Sequence, residues 1–199
     1  MIEVEKKFIL NKEDERRLIK GAEFLNEKVF EDIYYDTSDF VLTCKDKWLR
    51  SREGKFELKV PIFDEKTKRV TDQYHELENE QEIKVALSLN DGKGLADNLI
   101  ENNYLPFCTF KTKRRTYKKE NFTIDIDFVD FGGFVYEIAE IELKVKDESE
   151  IKNARNQIIE FAKKNRLAVK TIHGKIIEYL KQTKQIHYQA LVNAGVIKS

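Results

Sequence analysis

The sequence has little that punctuates or cross-links a chain: two prolines, Pro61 and Pro106, and eight glycines in 199 residues. No Pro-rich tract, Ser/Gly linker or internal repeat divides it, so one domain over residues 1–199 is expected. That length holds one substantial core and is short for two. The only cysteines, Cys44 and Cys108, stand far apart, with no CxxC and no histidine at ligand spacing. This excludes a disulfide framework or a zinc site and suits two reduced thiols in a cytoplasmic protein. His75, His173 and His187 have no serine or cysteine nucleophile motif around them and are expected to be surface or structural residues. The N-terminus has no apolar core of signal-peptide length, and no stretch approaches the ~18 apolar residues of a membrane span. Net charge is missing too, because 36 Lys+Arg cancel 36 Asp+Glu, whereas a nucleic-acid binder normally carries a basic balance. The basic run from Lys111 to Lys119 does not outweigh that neutral total, and Gly92-Lys93-Gly94 lacks the rest of a P-loop. The expected partner is a small molecule rather than nucleic acid or membrane, and the expected state is a monomer.

What is abundant is charge, at 36% of residues against the usual ~25%. It is laid out with a period of two. In the first residues Ile2, Val4 and Lys6 alternate with Glu3, Glu5 and Lys7, a strand with two different faces. Further strands are expected at about 28–36, 47–53, 55–60, 67–77, 107–118, 122–129 and 134–145, several joined by short turns such as Glu53-Gly54 and Asp130-Phe131-Gly132-Gly133. Helices fit 12–20, 80–88, a longer segment after Ser149 and the chain from Gly174 onward. Strand following strand through short turns predicts an α+β protein with an antiparallel sheet, and about eight such strands can close into a barrel.

Charged residues recur at every second position in strand after strand: Arg50 with Arg52, Glu57 with Lys59, Tyr74 with Glu76, Asp125 with Asp127, Glu140 with Glu142. Trp48 shares the parity of Arg50 and Arg52. Periodicity leaves two arrangements open, a solvated outer face or a charged barrel interior. In the second, dense charges of both signs need partners. A polyphosphate with a divalent cation supplies both: Lys and Arg neutralise phosphate oxygens, and carboxylates hold a hard metal ion.

The motifs resemble those of the CYTH superfamily, the triphosphate tunnel metalloenzymes. Glu3-Val4-Glu5-Lys6-Lys7 matches the E-x-E-x-K signature. Tyr34-Tyr35-Asp36-Thr37, Trp48-Leu49-Arg50-Ser51-Arg52-Glu53, Glu57-Leu58-Lys59-Val60-Pro61, Lys113-Arg114, Asp125-Ile126-Asp127, Glu140-Ile141-Glu142 and Gly174-Lys175 follow in order. Within the superfamily the chain is most similar to the animal thiamine triphosphatases. The resemblance implies an eight-stranded antiparallel β-barrel, the triphosphate tunnel, with flanking helices. It implies phosphate contacts from Lys7, Arg50, Arg52, Lys59, Arg114 and Lys175, with Glu76 as a further tunnel carboxylate. Metal ligands would be Glu3, Glu5, Asp125, Asp127, Glu140 and Glu142, holding Mg²⁺ or Mn²⁺ directly or through water. Tyr34, Tyr74, Lys59 and Lys175 would stand near the hydrolytic water.

Among Lys113, Arg114 and Arg115, parity alone does not say which points inward; Arg114 is chosen from its context. A few extra residues around Gly132-Gly133 could bring Glu137 toward the site, although its parity is opposite to Glu140 and Glu142. The implied reaction is metal-dependent hydrolysis of thiamine triphosphate to thiamine diphosphate and phosphate, with Trp48 exposed at the tunnel mouth to stack on the organic end. The alternatives are an inorganic tripolyphosphatase and a non-catalytic triphosphate-binding module. If Arg52 and Lys59 serve the ligand alone, removing either should leave the fold intact.

Overall fold

The computed structural model describes residues 2–62, 73–90 and 92–197. Eight strands follow in chain order: β1 (Ile2–Phe8), β2 (Glu23–Asp36), β3 (Trp48–Arg52), β4 (Lys55–Pro61), β5 (Gln73–Leu77), β6 (Leu105–Lys119), β7 (Phe122–Asp130) and β8 (Val135–Val145). They close into a barrel in the order β1-β5-β4-β3-β2-β6-β7-β8, with all neighbours antiparallel. β1 makes the closure. It pairs with β8 from Ile2↔Val145 to Phe8↔Ala139 and with β5 through Glu3↔Tyr74. The β3–β4 hairpin turns on Glu53 and Gly54, at φ 49° and 77°, the left-handed pair that a two-residue hairpin requires.

Two strands begin earlier than expected, β2 at Glu23 and β6 at Leu105, where they pair with each other's far ends. The strand expected over 67–77 is seen as Gln73–Leu77, and residues 67–72 lie outside the described residues.

The helices are α1 (Lys12–Ile19), α2 (Glu80–Leu87), α3 (Leu95–Glu101), α4 (Ile151–Lys164), α5 (Lys175–Thr183) and α6 (Gln185–Asn193). α1 starts where the Asn11 side chain accepts from the backbone N–H groups of Glu13 and Asp14. α3 was not expected. Seven residues are too few for a periodic signal, and it is held by buried Leu95 and Leu99 and by Asn98, whose amide donates to the carbonyls of Asn90 and Lys93 at 2.9 and 3.1 Å.

The barrel is apolar outside and charged inside. Ile2, Val4 and Phe8 of β1, Ile124 and Ile126 of β7 and Ile141 of β8 lie beneath Ile158 and Phe161 of α4 and Leu18 of α1. Leu49 and Leu58 lie beneath Ile83 of α2 and Leu95 and Leu99 of α3. Burying a large aliphatic or aromatic side chain contributes ~1.5–3 kcal/mol, so helix packing commits one parity of each strand to the outside. The opposite parity must face the lumen. That decides between the two arrangements that periodicity left open. α5 and α6 close one end, packing Ile176, Leu180 and Leu191 against Trp48, Phe110 and Val129. No helix among the described residues is long and apolar enough to cross a membrane.

Candidate functional site

The lumen is a cavity of about 1300 Å³. Its wall is assembled from alternate residues of every strand described above. Glu3, Glu5 and Lys7 come from β1, Arg50 and Arg52 from β3, Glu57 and Lys59 from β4, and Tyr74 and Glu76 from β5. Phe30 and Tyr34 come from β2, and Arg114, Asp125, Glu140 and Glu142 come from β6, β7 and β8. Lys175, the first residue of α5, enters from the end. Of the three consecutive basic residues on β6, Arg114 points inward, while Lys113 pairs with Glu27 and Arg115 with Glu15 on the outside. Glu137 is exposed, opposite Phe128, and takes no part.

The cations and carboxylates meet in pairs. Arg52 donates through Nε and Nη2 to the two oxygens of Asp32, at 2.8 and 3.0 Å. Arg50 Nη2 stands 2.6 Å from Glu57. Lys59 Nζ bridges Glu3 at 2.8 Å and Glu76 at 2.6 Å, and Lys7 binds Glu5. Arg114 reaches Asp125, Asp127 and Glu140 together, and Lys175 donates to Asp127 at 2.5 Å. The Phe30 ring lies among three of the cations, 3.9 Å from Arg52 Cζ, 5.6 Å from Arg114 Cζ and 5.9 Å from Lys175 Nζ.

Crowding sets the protonation of the carboxylates. Burial, joined by the charge of Glu3, pushes Glu142 up to about 8. Burial and a hydrogen bond with Glu3 raise Glu76 to about 7 despite Lys59. Burial also raises Glu5 and Asp125. Glu140 goes the other way: burial opposes ionisation, but Lys175, Lys7 and Arg114 hold it down at about 2. Burial disfavours the charged form of Lys59 as well, yet Glu5 and Glu3 keep its ammonium protonated well above the usual range.

A family model for the CYTH domain matches residues 1–173. The human thiamine-triphosphatase is 31% identical over 217 residues, covering 98% of this chain and 91% of that protein. The thiamine-triphosphatase of Macaca fascicularis is 31% identical over 220 residues, covering 100% and 92%. The chain belongs to the CYTH family. Among solved structures, the PH1819 protein from Pyrococcus horikoshii OT3 superposes with a TM-score of 0.64 at 22% identity, covering 90% of this chain and 99% of that one. HpAC1 from Hippeastrum, described as having a dominant triphosphatase activity, gives 0.54 at 15%, covering 95% of each. At those identities the likeness speaks for the fold. This CYTH chain supplies Lys175 from α5, just past the span of the family model.

Several expected positions sit differently from the sequence reading. Asp127, expected to hold metal, is fully buried beneath Arg114 and Lys175, which engage both its oxygens. Trp48 lines the cavity but is only 7% exposed, not open at a mouth. α5 and α6 pack over it, and its indole N–H donates to Asp46 at 2.8 Å. The Tyr74 hydroxyl donates to the same carboxylate, and Lys59 Nζ lies 5.9 Å from its ring centroid. Tyr34 is buried opposite Arg50 and stacks on Phe110, and burial raises its phenol despite Arg50. The sequence reading passed over Phe30, Asp32 and Asp46, and placed Glu57 on the face of Lys59 without giving it a role. Asp32 was within reach, since it shares the parity of Tyr34 in β2. Asp46 lies outside any strand, where period two carries no signal.

Proposed function

We propose that the protein is a divalent-metal-dependent triphosphatase that hydrolyses the terminal phosphoanhydride of thiamine triphosphate, giving thiamine diphosphate and phosphate. The observation that carries this is the convergence of six cations, Lys7, Arg50, Arg52, Lys59, Arg114 and Lys175, on one cavity inside a closed barrel. Arg50 Nε is buried there with no hydrogen-bond partner among the described residues, a donor suited to a phosphate oxygen. The human and macaque relatives, similar over nearly their whole lengths, bear the name of this activity. Because α5 supplies Lys175, residues 1–199 act as one catalytic unit in this reading.

The donor chemistry fits a hard cation. The carboxylates offer only oxygen, and Glu3, Glu5 and Glu142 crowd until burial and mutual repulsion raise Glu142 and Glu5. Glu142 Oε1 is buried with no hydrogen-bond partner among the described residues, 3.4 Å from Lys144 Nζ. No three His, Cys, Asp or Glu side chains among the described residues already converge as a cage, since they are turned onto the lysines and arginines. Glu3, Glu5, Glu140 and Glu142 would hold Mg²⁺ or Mn²⁺, with Asp125 at the margin. A divalent ion held by these carboxylates would supply positive charge to offset that of the triphosphate.

The chain's own residues do the rest. Arg50, through its unpartnered Nε, and Arg52 and Arg114, through the N–H groups that Asp32 and Asp127 leave, hold the phosphates. Lys59 and Lys175 stabilise charge that builds on the bridging oxygen as water attacks in line. Lys59 is held protonated by Glu5 and Glu3, so it serves as a cation and not as the base. Tyr34 sits beside Arg50 and fixes that end of the phosphate chain.

Inorganic tripolyphosphate is the second reading, favoured by the burial of Trp48, which limits the ring face open to an organic group. Phosphate release from purified protein with Mg²⁺, across thiamine triphosphate, inorganic tripolyphosphate and ATP, tests both. Preference for thiamine triphosphate supports the first reading and preference for tripolyphosphate the second. No release from any of the three leaves a binding module.

A further inference from the structure

The end of the cavity capped by α5 and α6 contains an acidic residue that the phosphate chemistry does not use. Asp46 lies in the 3-10 turn region that follows Thr43–Lys45 and lines the cavity while only 2% exposed. It has a left-handed backbone, φ 57° and ψ 25°, and its N–H donates to the Thr43 carbonyl at 3.0 Å. That conformation costs a non-glycine residue energy unless its surroundings determine it.

The surroundings do determine it. The buried Asp36 carboxylate accepts from the backbone N–H groups of Leu42 and Thr43, both at 2.9 Å. Thr43 Oγ1 is 2.7 Å from Nε2 of His187 on α6, and Phe40 stacks on the His187 ring with centroids 3.9 Å apart. The turn is held from the barrel on one side and from α6 on the other. Its product is the placement of one carboxylate, which accepts the Trp48 indole N–H at 2.8 Å and the Tyr74 hydroxyl at 3.0 Å. These two aromatic residues come from β3 and β5 and share no backbone ladder. Asp46 is what ties them together.

We infer that Asp46 is a positioning residue for substrate specificity: it fixes Trp48 and Tyr74 as the wall that receives the organic end of the triphosphate. This rests on the reading of an organic triphosphate as substrate. Arg50 and Arg52 continue the face of Trp48 on β3, each two residues further along. A substrate held by those arginines therefore has its non-phosphate end beside the aromatic pair. An inorganic chain has no atoms there. A side chain aimed by a buried hydrogen bond loses little entropy on meeting a ligand, which is how pre-placed aromatics gain affinity.

The test uses Asp46→Asn, which keeps an acceptor for the indole and a polar group for the phenol, and Asp46→Ala, which keeps neither. Trp48 is the single tryptophan of the chain, so its emission reports this wall alone. Asp46→Ala should shift that emission and raise KM for thiamine triphosphate about tenfold more than KM for tripolyphosphate, with kcat less affected. Asp46→Asn should restore most of both. The inference is overturned if Trp48 emission is the same in wild type and Asp46→Ala, or if the variant lowers kcat/KM for both substrates by one factor. A wild type that prefers tripolyphosphate overturns the substrate reading instead, and the emission comparison still judges Asp46. Should Asp46→Ala fail to fold, emission and the two KM values of Asp46→Asn decide: wild-type values for both support a hydrogen-bonding role, and loss on both substrates alike opposes it.

Discussion

Arg114 and Asp127 face each other across β6 and β7, and the guanidinium grips the carboxylate through Nε and Nη2 at 2.6 and 2.7 Å. Lys175 adds a third hydrogen bond to the same group. Asp127 thus aims two of the cations proposed to bind phosphate and holds them where the barrel alone would let them repel. Asp127→Asn should lower the melting temperature, because breaking a buried ion pair costs about 3–5 kcal/mol. Tripolyphosphate should recover part of the loss by supplying the missing negative charge. Thermal unfolding with and without tripolyphosphate checks this. An equal loss in both would mean that Arg114 and Lys175 do not meet the phosphates.

Arg52 carries a second duty. It neutralises Asp32, whose side chain is fully buried, and so it does not serve the ligand alone, as its pattern suggested. Asp32 is held below its ordinary value, burial being overcome by the hydrogen bond and charge of Arg52 and by the charge of Arg50. Arg52→Ala should therefore weaken triphosphate binding and also destabilise the free protein, toward the lower end of the about 3–5 kcal/mol of a broken buried pair, since Arg52 itself is partly solvated. The double variant Arg52→Ala/Asp32→Asn should regain stability without regaining activity. Denaturant unfolding of the two variants decides it: if the double variant is no more stable than the single one, the pair is not the source of the loss.

The proposed metal dependence rests on the crowding of Glu3, Glu5 and Glu142. With EDTA, turnover should fall to background and return with Mg²⁺. Ca²⁺ should substitute poorly, being larger and looser in its coordination. Full activity in chelator would remove the metal from the mechanism.

The raised carboxyls also give stability a direction with pH. Glu76 and Glu142 titrate near 7 and 8 in the folded chain against an ordinary value of 4.5. Between about 4.5 and 8 the native state therefore binds more protons than the unfolded one, and unfolding free energy falls as pH rises. Glu140, held near 2, contributes stability that is present above 4.5 and lost only on acidification toward 2. In EDTA the melting temperature should decline from pH 5.5 to 8.5. Mg²⁺ should raise it more at pH 8.5, where the ligands have shed their protons. A melting temperature that climbs with pH in EDTA would contradict the shared protons.

The strands and their faces are legible because period two survives in any environment: Glu3, Glu5, Arg50, Arg52, Glu140 and Glu142 share one parity of their strands in the sequence itself. Parity does not say which face is inside. That needed Ile158 and Phe161 on α4 and Ile83 on α2, which cover the apolar side. Depth is also illegible, so Asp127 and Trp48 read as open groups, although one lies beneath two cations and the other is mostly covered by α5 and α6. Asp46 and the short α3 gave no signal, because neither a single turn residue nor seven helical ones repeat often enough to show a period.

Closure of the barrel by β1 against β8 has a consequence for biosynthesis. The register Ile2↔Val145 means that β1 waits for a partner made roughly 140 residues later, about 7–30 s at 5–20 residues per second. β5 is made sooner and pairs with Ile2, Glu3 and Val4, but the edge of β1 that meets β8 stays unpaired for the whole interval. Its Glu3, Glu5 and Lys7, alternating with apolar residues, are the kind of charges that keep a lone edge from pairing with other chains. The residues that line the finished lumen thus guard the nascent chain before the lumen exists.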